Sequence, residues 1–158
     1  MLESKSFQGF PKIHRYLCTM SRIMAIDYGT KRCGVAVTDP LQICAFGLDT
    51  ISPDSLLSFL HKYIKTEKVE TLVVGEPKQR DNTPSAVEPQ IQLFLTKIKQ
   101  ELPSLSLVRY DERFTSKMAM RSLIESGAPK KVRQKKEVID KLSATLILQG
   151  YLDQQKHI

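Results

Sequence analysis

The run VETLVVG, Val69 to Gly75, is apolar almost throughout and is closed by Glu76 and Pro77. A run of this kind reads as a central strand of a parallel sheet, covered on both faces. Its neighbours fit that role. Before it, Ser52–Glu67 sets Leu56, Leu57, Leu60, Tyr63 and Ile64 at helical spacing, with Ser52 where an N-cap belongs and Pro53 at the first helical position. After it, the polar segment KQRDNTPS (Lys78–Ser85) reads as a loop, and Ser85–Glu101 places Ile91, Leu95 and Ile98 on one helical face. SLSLVRY (Ser104–Tyr110) alternates as a further strand and runs into Asp111, Glu112 and Arg113. A helix over Ser116–Ser126, stopped by Gly127 and Pro129, and a last helix from Lys136 to Asp153 complete the chain.

Upstream lies RIMAIDYGTKRCGVAVTD, Arg22 to Asp39. It reads as a short apolar strand, Ile23 to Ile26, ending on Asp27, then a turn at Gly29 and a second apolar run, Cys33 to Val37, that leads to Asp39. Two such runs joined by a glycine-containing loop are a hairpin signal. ICAFGLDTI (Ile43–Ile51) adds a third strand to the meander. Three strands, helix, strand, helix, strand and then helices is an α/β order, with a meander leading into crossover units. The sequence holds no internal repeat, low-complexity tract or linker, and 158 residues suit one core.

Bulk properties narrow the function. The hydrophobic share of 41% and the charged share of 26% are those of an ordinary soluble globular protein. A net charge of +7 favours polyanionic partners, nucleic acid before acidic membrane surface. No apolar run approaches the roughly 20 residues of a membrane span. Cys18, Cys33 and Cys44 lack metal-type pair spacing and suit a reducing cytoplasm, and His14, His61 and His157 are too scattered for a zinc site. The first twenty residues lack strand alternation, a helical stripe and the features of a secretory signal, so residues 1–21 read as a disordered extension or the product of an upstream start codon. A basic RNA-contacting arm is the alternative.

The carboxylates carry the chemistry. Asp27 follows a buried strand, where its charge is costly unless a cation or donors meet it, while Gly29 leaves the main chain open and Lys31 and Arg32 add positive charge. Together they suggest phosphate chemistry through a metal held by Asp27; the alternative is an Asp that only caps the turn. Asp111 and Glu112 end the last strand. At 100° per residue, Asp140 shares a helix face with Ala144, Ile147 and Tyr151, so it points inward, and small Ser143 and Ala144 allow close approach. A divalent cation shared with Asp27 would relieve that burial, since Mg²⁺ and Mn²⁺ prefer carboxylate oxygen. The competing explanation is a salt bridge from Asp140 to a lysine or to Arg113. Glu76 is either a fourth acid on this edge or an exposed loop residue. Lys130, Lys131, Arg133, Lys135 and Lys136 form the densest positive segment and are expected in the connection before the Asp140 helix, as a nucleic-acid backbone contact or as a solvated loop.

The blocks IMAIDYGTKRCGVAVTD, LVVGEPKQ, YDERFTSKMA and VIDKLSATLILQGYL resemble, in order and spacing, the YqgF (RuvX-like) family, over about Arg22 to Asp153. The resemblance implies an RNase H-like fold over residues 22–154: a five-stranded mixed sheet, with a three-stranded antiparallel meander and two parallel strands, flanked by helices. It implies a nuclease that matures the small-subunit ribosomal RNA precursor, or a Holliday-junction resolvase. Carried over by position, the metal-site acids are Asp27, one or both of Asp111 and Glu112, and Asp140. Many relatives have an apolar residue where this chain has Glu76, which leaves its role open.

Three functions follow as expectations. In the first, Asp27, Glu112 and Asp140 bind Mg²⁺ or Mn²⁺, Asp111 completes the catalytic acids, and Lys31, Arg32 and Arg113 contact phosphates. The partner is then nucleic acid, pre-ribosomal RNA ahead of branched DNA, handled in the cytoplasm by a monomer or homodimer. In the second, the same basic face serves a non-catalytic RNA-binding factor in ribosome assembly. The third, a sugar-kinase or actin-type ATPase, is prompted by DYGTK but needs a second lobe for which this chain has no room.

Overall fold

The computed structural model describes residues 20–78, 83–112 and 115–156. Arg113 and residues 1–19 of the expected extension lie outside them. The described elements are β1 (Arg22–Tyr28), β2 (Cys33–Thr38), β3 (Ala45–Ile51), α1 (Pro53–Thr66), β4 (Val69–Glu76), α2 (Glu88–Glu101), β5 (Ser106–Asp111), α3 (Thr115–Glu125), α4 (Lys130–Arg133) and α5 (Lys136–Lys156). The strands form one five-stranded sheet in the order β3-β2-β1-β4-β5. β1, β2 and β3 are an antiparallel meander, while β4 and β5 run parallel to β1, the arrangement expected from the order of elements.

Strand alternation divides the core into two layers. Met24 and Ile26 of β1, Val35 and Val37 of β2, and Leu72 and Val74 of β4 pack under α1 and α2, which contribute Leu56, Leu60, Ile91, Phe94, Leu95 and Ile98. Ile23, Ala25, Ala36 and Val73 point the other way, against Ala144, Ile147, Leu148 and Leu152 of α5. The second face is built from smaller side chains, so α5 lies close to the sheet. A Cβ on Gly34 would collide with the Asp140 carbonyl, and one on Gly47 would sit 3.3 Å from the Lys141 Cβ. Ser143 and Ala144 are both buried at this contact. Gly34 therefore fixes how near the first turns of α5 come to β2.

Several boundaries differ from expectation for local reasons. β1 does not stop before Asp27: its ladder continues through Asp27 opposite Gly34 and Tyr28 opposite Cys33. β3 begins at Ala45, not Ile43, because the Asp39 carboxylate accepts from the N–H groups of Leu41, Ile43 and Cys44 at 3.0, 2.8 and 2.7 Å and folds that segment into a loop. Asp39 is thus the turn-building acid that Asp27 could have been. Ser52 does stand at the N-cap of α1, but its hydroxyl donates to Ser55 Oγ instead of capping a backbone N–H. α2 starts at Glu88 with Pro89 in its first turn, later than Ser85. The basic segment expected as a connection contains a helical turn of its own, α4.

Candidate active site

Parity along the strands decides which acids meet. Asp27 shares the α5 side of the sheet with Ile23 and Ala25, four and two residues before it. On β5, Val108 and Tyr110 face α5, and Glu112 continues that set. Glu112 and Asp27 are hydrogen-bonded to each other. Room for this contact comes from bare backbone on both sides of Asp27. Gly34 is its partner on β2, and Gly75 follows Val74, the partner of Ile26 on β4. The Glu112 carboxylate lies over Gly75, where a Cβ would stand 2.5 Å from Oε2 and 2.6 Å from Cδ.

Burial raises the pKa of both carboxyls, because neither charge is well solvated. For Glu112 the charge of Asp27 and the hydrogen bond between them push further in the same direction. For Asp27 that hydrogen bond works downward and the charge of Asp140 upward. The two carboxyls therefore hold one proton between them above the ordinary carboxylate range. Two carboxylates sharing one proton in a half-buried site titrate as a unit.

The third acid sits differently. Asp140 is in the first turns of α5, and its Oδ2 accepts from Arg32 Nε at 2.8 Å. The salt bridge weighed for Asp140 thus exists, with Arg32 as its partner; Arg113 lies outside the described residues. Asp140 remains close enough for its charge to act on Asp27. Among the described residues, no group of three His, Cys, Asp or Glu side chains is gathered tightly enough to hold a metal ion. Asp27 and Glu112 nonetheless fit a hard divalent cation in donor type, since two half-buried oxygen ligands that now share a proton could share a cation instead.

Asp111 and Glu76 do not join this group. They are register partners and face away from α5, where Lys78 Nζ lies 3.3 Å from Glu76 Oε2 and 3.7 Å from Asp111 Oδ2. Alternation is the reason: each is one residue out of phase with Gly75 or Glu112. Lys31 is exposed on the loop that carries Arg32. Lys130, Lys131 and Lys135 are exposed around α4, whereas Arg133 turns inward and donates from Nε to the Ala128 carbonyl at 3.0 Å. Arg133 is thereby occupied in shaping the α3–α4 connection.

Three contributors were not singled out from the sequence. Gly34 and Gly75 interrupt otherwise apolar strands at positions beside Asp27, and such interruptions mark close approach. Arg109 makes a bidentate pair with Glu88 at 2.8 and 2.9 Å and also donates to the carbonyls of Val74 and Gly75 at 3.3 and 3.1 Å. It ties the start of α2 to the end of β4, which carries Gly75. Its signal was a cation inside an alternating strand. Cys33 is buried, its thiol donating to the Gly29 carbonyl at 3.8 Å, and burial first, with Asp27 and Asp140 adding, pushes its pKa up to about 12. Such a thiol serves packing, not reactivity.

A mixed five-stranded sheet with a half-buried carboxyl pair, one on its central strand and one at the end of the edge strand beyond β4, backed by a long helix bearing a third acid, defines an α/β protein of the RNase H-like class. A family model described as "RuvX: Holliday junction resolvase" matches residues 21–154. The chain belongs to that RuvX (YqgF) family. It is similar to proteins named "Putative pre-16S rRNA nuclease". The relative from Christiangramia forsetii is 53% identical over 133 residues, covering 84% of this chain and 98% of that one. Another, from Flavobacterium psychrophilum, is 50% identical over 133 residues, with 84% and 97% covered. A third, from Phocaeicola vulgatus, is 48% identical over 139 residues, with 88% and 100% covered.

Proposed function

We propose that this protein is a metal-dependent nuclease that hydrolyses phosphodiester bonds in maturing the 5′ end of pre-16S ribosomal RNA. The observation that carries the reading is the hydrogen-bonded Asp27–Glu112 pair, two half-buried carboxyls held together at a sheet position flanked by glycines. Its support from outside the chain is the shared name of the relatives, each covered over nearly its whole length.

Asp27 and Glu112 would hold Mg²⁺ or Mn²⁺, with the charge of Asp140 beside them. When bound, such an ion lowers the pKa of a water and balances charge on phosphate oxygens. The protein's own groups do the rest. Asp27 and Glu112 release their shared proton as they become ligands. Arg32 and Lys31, at the same end of the sheet, hold phosphate oxygens and offset the charge that develops as water attacks phosphorus and the P–O bond to the leaving oxygen breaks. The exposed lysines around α4 hold flanking backbone through salt-sensitive contacts. Asp111 and Glu76, turned toward Lys78, shape the neighbouring surface and are not ligands. No described helix is long and apolar enough to cross a membrane, and a pre-ribosomal RNA substrate supports a cytoplasmic location.

The family description favours a second reading, cleavage of four-way DNA junctions. Both are tested by incubating the protein and Asp27→Asn with a pre-16S transcript and with a synthetic junction, each with EDTA or Mn²⁺. Mn²⁺-dependent cleavage of the transcript, lost in Asp27→Asn, is expected. Cleavage of the junction alone would move the substrate to DNA. Binding of the transcript with no cleavage in any metal would make the protein an assembly factor.

A further inference from the structure

On the side of the sheet opposite Asp27, a cleft of about 510 Å³ opens between the start of α1, the outer face of α2 and the β1–β2 loop. Its floor is aromatic: Tyr28 and Phe94 meet with ring centroids 5.4 Å apart and planes tilted by 41°. Leu57 and Leu93 wall it, and Leu93 is 67% exposed, unusual for a leucine on a packed helix. The rim is polar. Gln90 and Lys97 reach it from α2, and Asp54 from the first turn of α1. The volume falls in the range of small-ligand sites.

Position ties this cleft to the carboxylates. Tyr28 is the residue after Asp27, and alternation sends the two side chains to opposite faces at the same end of β1. Thr30, also in the lining, belongs to the loop that bears Lys31 and Arg32. A strand held at Asp27 therefore reaches the cleft by turning over one strand end. A purely apolar ligand would leave the rim groups unused. A nucleotide matches each part: a π face for the rings, an edge of donors and acceptors for Gln90 and Asp54, and a phosphate for Lys97.

We propose that this cleft receives one unpaired nucleobase of a single-stranded RNA whose neighbouring backbone lies at Asp27, with the amino-bearing edge of the base turned toward Asp54. The proposal rests on the nuclease reading above. Asp54 orients the base because a carboxylate only accepts hydrogen bonds and repels phosphate. Cytosine, adenine and guanine offer an exocyclic amine to it, whereas the one N3–H donor of uracil lies between two carbonyls that a carboxylate repels. The cleft thus discriminates against uracil at a single position of the substrate.

The test uses the full chain carrying Asp27→Asn, so that RNA is bound without being cut. Short oligoribonucleotides each carry one 2-aminopurine, moved along the sequence, and fluorescence and affinity are read. One position is expected to be quenched. Leu93→Trp, at an exposed site where folding tolerates it, fills the cleft; it should abolish that quench and weaken binding roughly 5- to 150-fold, the range of one base stack removed. Uracil at that position should bind more weakly than cytosine, and Asp54→Asn should level the two. Unchanged quench and affinity in Leu93→Trp, confirmed folded by its melt, would overturn the base site and leave the nuclease reading intact. No binding of any oligoribonucleotide by the parent chain would overturn both.

Discussion

Gly75→Ala separates the chemistry of this protein from its stability. The new Cβ would stand 2.5–2.8 Å from the carboxylate atoms of Glu112, nearer than real contacts allow. What it meets is the free end of a flexible side chain, so Glu112 can rotate toward solvent and leave Asp27. That escape is inexpensive, because burial and the Asp27 charge already oppose the ionised form of Glu112 in its native place. Gly75 does not have the positive φ that strains an L-residue, so alanine also reduces the freedom of the unfolded chain, which stabilises by about 0.4–1 kcal/mol. The melting temperature is therefore expected to stay within about 4 °C of the parent, since 1 kcal/mol is worth roughly 2–4 °C in a chain of this size. Cleavage should fall by at least ~100-fold, because even outer groups around a metal site cost 10- to 100-fold when removed. Gly34→Ala is the control. There the Cβ meets the Asp140 backbone carbonyl, which cannot rotate away, so α5 must lift from the sheet at a cost of about 1–3 kcal/mol. Thermal melts in EDTA and single-turnover cleavage with Mn²⁺ read the two effects. Parent-level cleavage by a folded Gly75→Ala would refute the role given to Glu112, and a melt lowered as far as that of Gly34→Ala would refute the reasoning about its mobility.

Three further outcomes are expected. Because both members of the Asp27–Glu112 pair have pKa values raised in the folded state, their contribution is complete below the ordinary carboxylate range and is lost as pH rises from about 4 through neutrality; melts in EDTA should fall across that window, less so in Asp27→Asn. A flat profile for the parent would mean the pair is not buried as described. Asp140→Asn breaks a pair whose partners are 36% and 23% exposed, so it should change stability by no more than about 1 kcal/mol in chemical denaturation, while lowering the pKa of Asp27 by removing a like charge, read as a shift in the acid limb of the melting profile. Replacing Lys130, Lys131 and Lys135 with Gln, and sparing Arg133, should flatten the salt dependence of RNA binding by ~0.7 in log–log slope for each phosphate no longer neutralised; an unchanged slope would show that α4 stands clear of the RNA.

The sequence alone determined the sheet. Period-two and helical spacing are local properties, and they located all five strands and the order of the long helices, because each element must bury one face or both. Element ends were less legible where a side chain competes for backbone N–H groups, as Asp39 does before β3. Asp27 could be recognised as a misplaced charge, and the inward face of α5 followed from helical arithmetic on Asp140, Ala144 and Ile147. Which acids meet was a different kind of question. The choice of Glu112 over Asp111, and the exclusion of Glu76, depended on strand register, which pairs Glu76 with Asp111 and sets Gly75 beneath Glu112. One residue of slip would have reversed that choice, since side chains alternate faces. The link from Arg32 to Asp140 spans 108 positions of the chain and exists only because Gly34 lets α5 settle onto β2. Local pattern names the groups that can carry charge; only the packing of distant backbones decides which charges must share a proton, a cation or a salt bridge.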